Sequence, residues 1–289
     1  MNIDTRSTLK KFNLRPTKSL GQNFLNDGGV LKEIANAAQL TNGDIVLEIG
    51  PGLGSLTSEL AKTAAMVVAV EIDKHLIPAV KENLKIYTNV KIINEDIMKL
   101  NIEETISDAR KLLHDDSSGP MPLKIVANLP YYITTPVIMM LLESKIEAET
   151  MVFMIQKEVA DRMMAKPGGK DYGALSVAVQ YYSKPSVVTD VPPHCFIPQP
   201  GVVSTVVRLD IHKTAPVTLK DQALFFKVVR AAFAQRRKTL INAMFNAGAF
   251  NLSKEQLKEL LVKIGIGENQ RGETLSIEQF AELSNMIAK

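Results

Sequence analysis

Asn128-Leu129-Pro130-Tyr131 follows directly on the run Lys124 to Ala127, which reads as a strand. An asparagine oxygen, acting with a nearby backbone carbonyl, can accept both protons of an exocyclic amino group. The amino nitrogen of adenine is a poor nucleophile because its lone pair is delocalised into the ring. Two fixed acceptors rehybridise it and aim the lone pair at an electrophile. Such chemistry rests on proximity and electrostatics and needs no strong general base before group transfer. Tyr131 offers a face on which an extruded base can stack, and Pro130 fixes the backbone between the two residues.

A second group of residues suits a nucleoside-bearing ligand. Val46-Leu47-Glu48-Ile49-Gly50-Pro51-Gly52-Leu53-Gly54 reads as a strand entering a glycine-rich turn, followed by a helix from Ser55. Glycines allow the tight turn and a close approach of ligand to backbone, and the helix start adds N–H donors. Glu71 ends the next strand, where a carboxylate can accept from both ribose hydroxyls. Asp96 follows the strand Val90 to Asn94 and can accept from an adenine amino group. Either a dinucleotide or S-adenosylmethionine fits this arrangement. The glycines run Gly-x-Gly-x-Gly, without the third glycine that the Gly-x-Gly-x-x-Gly fingerprint places beside a pyrophosphate. The methyl donor has no pyrophosphate.

The elements that position these residues alternate. Strands are expected at Ile45 to Ile49, Met66 to Val70, Val90 to Asn94, Lys124 to Ala127 and Met151 to Ile155. Helical patterns occupy Ser55 to Thr63, Lys74 to Ile86, Ile102 to His114, Pro136 to Leu142 and Lys157 to Met164. This predicts an α/β fold built of βαβ units on a largely parallel sheet. Leu175 to Tyr182, Ser186 to Val191 and Val203 to Ile211 then follow one another, with no helical run between the last two, so the sheet is expected to finish antiparallel. Asp115 to Pro122 reads as a loop insertion.

His212 to Lys220 reads as a linker, and beyond it only helical patterns occur. The expected division is an α/β domain over 1–212 and a small all-helical domain over 213–289. Ser253 with Gln256 and Ser276 with Gln279 have capping-box spacing. The formal net charge of +3 argues for no particular partner, but its distribution is uneven. From Asp44 to Asp116 there are 13 acidic and 8 basic residues. Between Asp221 and Glu255 there is no acid, while Lys227, Arg230, Arg236, Arg237, Lys238 and Lys254 are basic. Arg6, Lys10, Lys11, Arg15 and Lys18 make a second basic stretch, so a polyanion gripped from both sides is expected. One cysteine, Cys195, and four histidines give no metal-ligand cluster, so no metal is expected. No run is long enough to span a membrane and no secretory pattern opens the chain, which makes the cytoplasm the expected location and membrane association unexpected.

Taken together, Lys18-Ser19-Leu20-Gly21-Gln22-Asn23-Phe24-Leu25, the Glu48 to Gly54 turn, Glu71, Asp96, the Asn-Leu-Pro-Tyr tetrad and Phe196-Ile197-Pro198-Gln199-Pro200-Gly201-Val202-Val203-Ser204 resemble the ribosomal RNA adenine dimethyltransferase family. The motifs occur in the family's order across most of the chain. The resemblance is strongest to bacterial members that modify two adjacent adenosines in a hairpin near the 3′ end of small-subunit RNA. It implies that the first domain is a doubly wound, Rossmann-like class I methyltransferase sheet, with S-adenosylmethionine as cofactor and immature small ribosomal subunits as partner, and a role in their maturation. It also implies a donor site lined by Asn23, Leu25, Gly50, Gly52, Glu71, Asp96 and Asn128, a target adenine between Tyr131 and Phe196, and phosphate contacts from Arg236, Arg237 and Lys238. A monomer is expected.

Three other readings compete. Relatives of the same fold methylate large-subunit RNA and confer macrolide resistance; the region beyond Val217, with Gln235-Arg236-Arg237-Lys238-Thr239-Leu240, resembles the small-subunit enzymes instead. A non-catalytic RNA-binding factor is disfavoured by the intact Glu71, Asp96 and tetrad. A nicotinamide-dependent dehydrogenase is disfavoured by the glycine spacing.

Overall fold

The computed structural model describes residues 3–113, 121–144 and 146–288, with only the backbone of Lys18. Its strands are β1 Phe24–Leu25, β2 Ile45–Ile49, β3 Met66–Glu71, β4 Val90–Asn94, β5 Leu123–Asn128, β6 Ala148–Gln156, β7 Ser183–Val191, β8 Phe196–Ile197 and β9 Ser204–Ile211. Its helices are α1 Thr5–Lys11, α2 Gly28–Ala37, α3 Ser55–Leu60, α4 Ile77–Leu84, α5 Ile102–Leu113, α6 Thr134–Glu143, α7 Lys157–Met164, α8 Ala174–Tyr182, α9 Gln222–Phe233, α10 Leu240–Asn246, α11 Lys254–Lys263 and α12 Ile277–Ile287. The insertion expected over Asp115 to Pro122 lies outside the described residues except for Met121 and Pro122, as does the His114 end of the helix expected from Ile102.

Seven strands form one sheet in the order β4-β3-β2-β5-β6-β9-β7. Pairing is parallel from β4 through β6 and antiparallel between β6 and β9. The expected doubly wound sheet with an antiparallel finish is therefore present. All five residues of β2 are buried and β5 is buried up to Asn128, which is why these strands read as continuous apolar runs: helices cover both faces. The order reverses between β2 and β5, and the register sets Ile49 beside Ala127, bringing Gly50 and Asn128 together at the carboxyl edge. That switch point is where open α/β sheets bind ligands. A separate two-stranded pair joins β1 to β8, with Leu25 opposite Phe196.

The chain forms two compact units, Met1–Ala160 with Pro185–Ile211, and Asp161–Lys184 with His212–Lys289. This differs from a single boundary after residue 212, because Asp161–Lys184 joins the helical unit. Leu175 to Tyr182, grouped in sequence with two strands, lies in helix α8. Its Tyr181 packs 5.3 Å from both Phe225 and Phe226, and Tyr182 stacks on Phe226 at 5.4 Å. Aromatic burial against α9 places this segment, and local periodicity carries no record of such a distant partner. The capping boxes form as expected, Ser253 with Gln256 and Ser276 with Gln279.

Candidate active site

The carboxyl ends of β2, β3, β4 and β5 open on a single cavity. Asn23, Leu25, Gly50, Gly52, Glu71, Asp96, Asn128, Tyr131 and Phe196 all line it. Residues from four strand ends, the N-terminal segment and β8 thus converge on one site.

Glu71 is buried, and each of its carboxylate oxygens is held by a backbone donor. Oε2 accepts from Gly52 N–H at 3.1 Å and Oε1 from Asp73 N–H at 2.8 Å. Burial raises its pKa, and these two hydrogen bonds oppose the rise. A carboxylate oxygen has more than one acceptor position, so each retains capacity for a ribose hydroxyl. Asp96 Oδ1 accepts from Met98 N–H at 3.0 Å, which orients that carboxylate within its own loop.

The N–H groups of the glycines themselves are spent on acceptors of the protein itself. Gly50 N–H donates to Val70 O, Gly52 N–H to Glu71 and Gly54 N–H to Pro51 O. These donors are already satisfied within the protein, and α3 is only six residues long. The glycines act through conformation and space instead. Gly50 and Gly52 have φ of 71° and 59°. A Cβ on Gly52 would stand 3.0 Å from the Phe24 ring.

Asn128 is oriented by a partner 105 residues away: its Nδ2 donates to the backbone carbonyl of Asn23 at 3.2 Å. Asn23 therefore contributes a main-chain acceptor, whatever its side chain touches. Pro130 O accepts from both Ile133 N–H and the Thr134 hydroxyl, so that carbonyl is occupied. The Tyr131 hydroxyl pairs with Ser204 Oγ at 2.8 Å, which fixes the ring toward β9. Phe196 lines the cavity too, but it is only 2% exposed and packs in the core with Leu25, Leu31, Val191 and Cys195. Its first role is as an anchor of the fold.

Three features of the site were not singled out in the sequence. Gln22 Nε2 donates to Asp73 Oδ2 at 2.8 Å while its Oε1 accepts from Thr17 N–H, pinning the N-terminal segment beside the cavity. The carboxylate two residues after Glu71, together with the Gln of the quoted N-terminal motif, was the available signal. Tyr132 lines the mouth and is half exposed. Glu48 is fully enclosed beneath the glycine turn, and its Oε2 and the Thr57 hydroxyl find no hydrogen-bond partner among the described residues. Burial pushes the Glu48 carboxyl up to about 8, and the nearby Glu71 charge adds to the rise.

Arg236, Arg237 and Lys238 do not line the cavity. They occupy the turn between α9 and α10, in the helical unit. Arg236 donates to the carbonyls of Lys170 and Tyr172 and pairs with Glu273, so it ties that unit together internally. Arg237 and Lys238 are exposed. No helix among the described residues is long and apolar enough to cross a membrane.

The model of the ribosomal RNA adenine dimethylase family matches residues 13–289. The ribosomal RNA small subunit methyltransferase A of Alkaliphilus oremlandii is 51% identical over 285 residues, covering 99% of this chain and 96% of that protein. Its namesake from Clostridioides difficile is 48% identical over 283 residues, covering 98% and 94%. Among solved structures, a dimethyladenosine transferase from Plasmodium falciparum matches with a TM-score of 0.74 and 27% identity over 90% of this chain and 95% of that one. The 23S rRNA methyltransferase ErmE matches with 0.66 and 25% identity over 92% and 100%.

Proposed function

The chain belongs to the ribosomal RNA adenine dimethylase family, and from that premise we propose that it dimethylates the exocyclic amino groups of two adjacent adenosines in the 3′-terminal hairpin of 16S rRNA during small-subunit maturation. The observation that carries the reading is the Asn128 amide, turned by the Asn23 carbonyl at the switch point of the sheet. With Nδ2 committed to Asn23, Oδ1 is the end of the amide available to accept an amino proton. A backbone carbonyl of the adjoining segment supplies the second acceptor, and the occupied Pro130 carbonyl is not the one.

S-adenosylmethionine supplies an electrophilic methyl group when bound. The residues present fit it: a buried carboxylate with spare acceptor capacity at the end of β3, a second acid at the end of β4, and glycines that bring backbone against the cavity. Glu71 holds the ribose and Asp96 the adenine amino group. Tyr131 presents its face to the target base, with Phe196 closing the other side from a rigid position. Arg237 and Lys238 contact RNA phosphates from the helical unit. The protein acts as a cytoplasmic monomer.

The test is transfer of labelled methyl from S-adenosylmethionine to purified, under-methylated small and large ribosomal subunits, followed by nucleoside analysis. Dimethyladenosine in small-subunit RNA is the expected result. Label in large-subunit RNA would establish the activity named for ErmE instead, and RNA binding without transfer would make the protein a non-catalytic factor.

A further inference from the structure

Tyr131 and Tyr132 are consecutive in a 3-10 turn, Tyr131–Ile133, where successive side chains diverge by about 120°. They consequently serve different sides of the cleft. Tyr131 reaches Ser204 on β9. Tyr132 lies the other way, with ring atoms Cδ1 and Cε1 at 3.5 and 3.9 Å from the position a Cβ would take on Gly21. Burial lifts the Tyr132 phenol, and the Asp96 and Glu71 carboxylates lift it further, so its hydroxyl sits in the field of both. Strand order gives the same division, since Glu71 and Asp96 belong to the β3 and β4 side and Ser204 to the opposite side of β5.

Tyr132 is 53% exposed although it stands at the mouth of a cavity, and Ile72 on the same side is 48% exposed while Ile97 is buried. Two apolar side chains left open beside two acids suit a flat heterocycle with a hydroxylated sugar. The flat ring would cover Tyr132 and Ile72, and the acids would take the polar edge. The ring thus faces the open side of Gly21, in the N-terminal segment that Gln22 fastens to Asp73.

We propose that Tyr132 is a positioning residue of the donor site, whose ring lies across the nucleoside half between Gly21 and the acids Glu71 and Asp96 and slows escape of the bound adenosyl group. The inference rests on the cavity being the S-adenosylmethionine site. Its consequence is a division of labour between neighbouring tyrosines, with Tyr131 serving the acceptor base and Tyr132 the donor.

The experiment is calorimetric binding of S-adenosylmethionine and of 5′-methylthioadenosine, which lacks the amino-acid half, to the full-length protein and its Tyr132→Ala and Tyr132→Phe variants. Tyr132→Ala is expected to weaken both ligands by the same factor, between about 5- and 100-fold, the range that removing a ring stacked on a base brings. Tyr132→Phe keeps the ring and should stay within about twofold of wild type. At saturating donor, Tyr132→Ala should recover its kcat while KM for the donor stays raised. Unchanged affinity for both ligands, or weakening of S-adenosylmethionine alone, overturns the proposal. Loss of RNA affinity with donor binding intact overturns it as well, by assigning the ring to the acceptor. If wild type binds neither ligand, the reading of the cavity itself fails, which is a separate result.

Discussion

Asn128 Nδ2 donates to Asn23 O across 3.2 Å, joining the end of β5 to the N-terminal segment over 105 residues of chain. An amide has one donor end and one acceptor end, so a single hydrogen bond to a carbonyl decides which end faces the substrate. The predicted chemistry needs the acceptor end free, and the Asn23 carbonyl makes it so.

Asn128→Ala should lower kcat by about 100- to 1,000-fold, the loss typical of removing one preorganised polar contact to a transition state. Donor affinity, measured by calorimetry, should remain close to wild type because Glu71 and Asp96 are untouched. Near wild-type turnover would remove Asn128 from the chemistry.

Tyr131→Phe removes only the pair with Ser204 Oγ and should cost about 1 kcal/mol of transition-state stabilisation, roughly fivefold in kcat/KM for RNA. Tyr131→Ala removes the stacking face too, worth about 1–3 kcal/mol more. Equal losses in the two variants would mean that the hydroxyl, and not the ring, is what the substrate reads.

Phe196→Ala should destabilise the first unit by about 3–5 kcal/mol, because it empties a nearly fully buried core position. Phe196→Leu restores much of the volume without an aromatic face. In thermal melts and single-turnover assays, the leucine variant should regain most of the stability and less of the rate. Full recovery of both would confine Phe196 to packing.

The Glu48 carboxyl, lifted to about 8, keeps a proton in the folded protein that the unfolded chain releases in the ordinary carboxylate range. The native state therefore binds more protons between those two values, and stability falls as pH rises through that window. The integrated effect is on the order of 5 kcal/mol. Glu48→Gln should flatten this decline, with melting temperatures at pH 8.5 above those of wild type. Parallel pH profiles for the two proteins would show that Glu48 is not the group responsible.

Arg237→Ala with Lys238→Ala should weaken RNA binding and reduce the slope of log K against log salt by about 0.7–0.9 per lost phosphate contact. Arg236→Ala should behave differently. It leaves the Lys170 and Tyr172 carbonyls without their donor and should cost about 1–2 kcal/mol in stability, discounted for its half-exposed position. A salt slope that responds to Arg236 as strongly as to its neighbours would show that the internal contacts yield to RNA.

Much of the cavity was legible in the sequence because a parallel α/β sheet gathers the carboxyl ends of its strands at one edge. Once the runs before Gly50, Glu71, Asp96 and Asn128 read as parallel strands, their convergence followed from topology. Asn23, Leu25 and Phe196 were placed by resemblance, and the β1–β8 pair is what brings them there. The basic triad was read as one unit because its residues adjoin in sequence. The fold sets Arg236 apart, since it meets acceptors more than 30 residues away in the helical unit.

The sequence alone determined the strand and helix alternation, the glycine turn, the acids after β3 and β4 and the tetrad after β5, because side-chain period and turn chemistry are local. Only the tertiary structure decided that α8 belongs with the C-terminal helices, that Gln22 and Asp73 pin the N-terminal segment, that burial lifts the Glu48 carboxyl and that the Asn23 carbonyl holds the Asn128 amide nitrogen. Each of these depends on burial or on a hydrogen bond between residues remote in the chain, and neither is encoded in the spacing of neighbours.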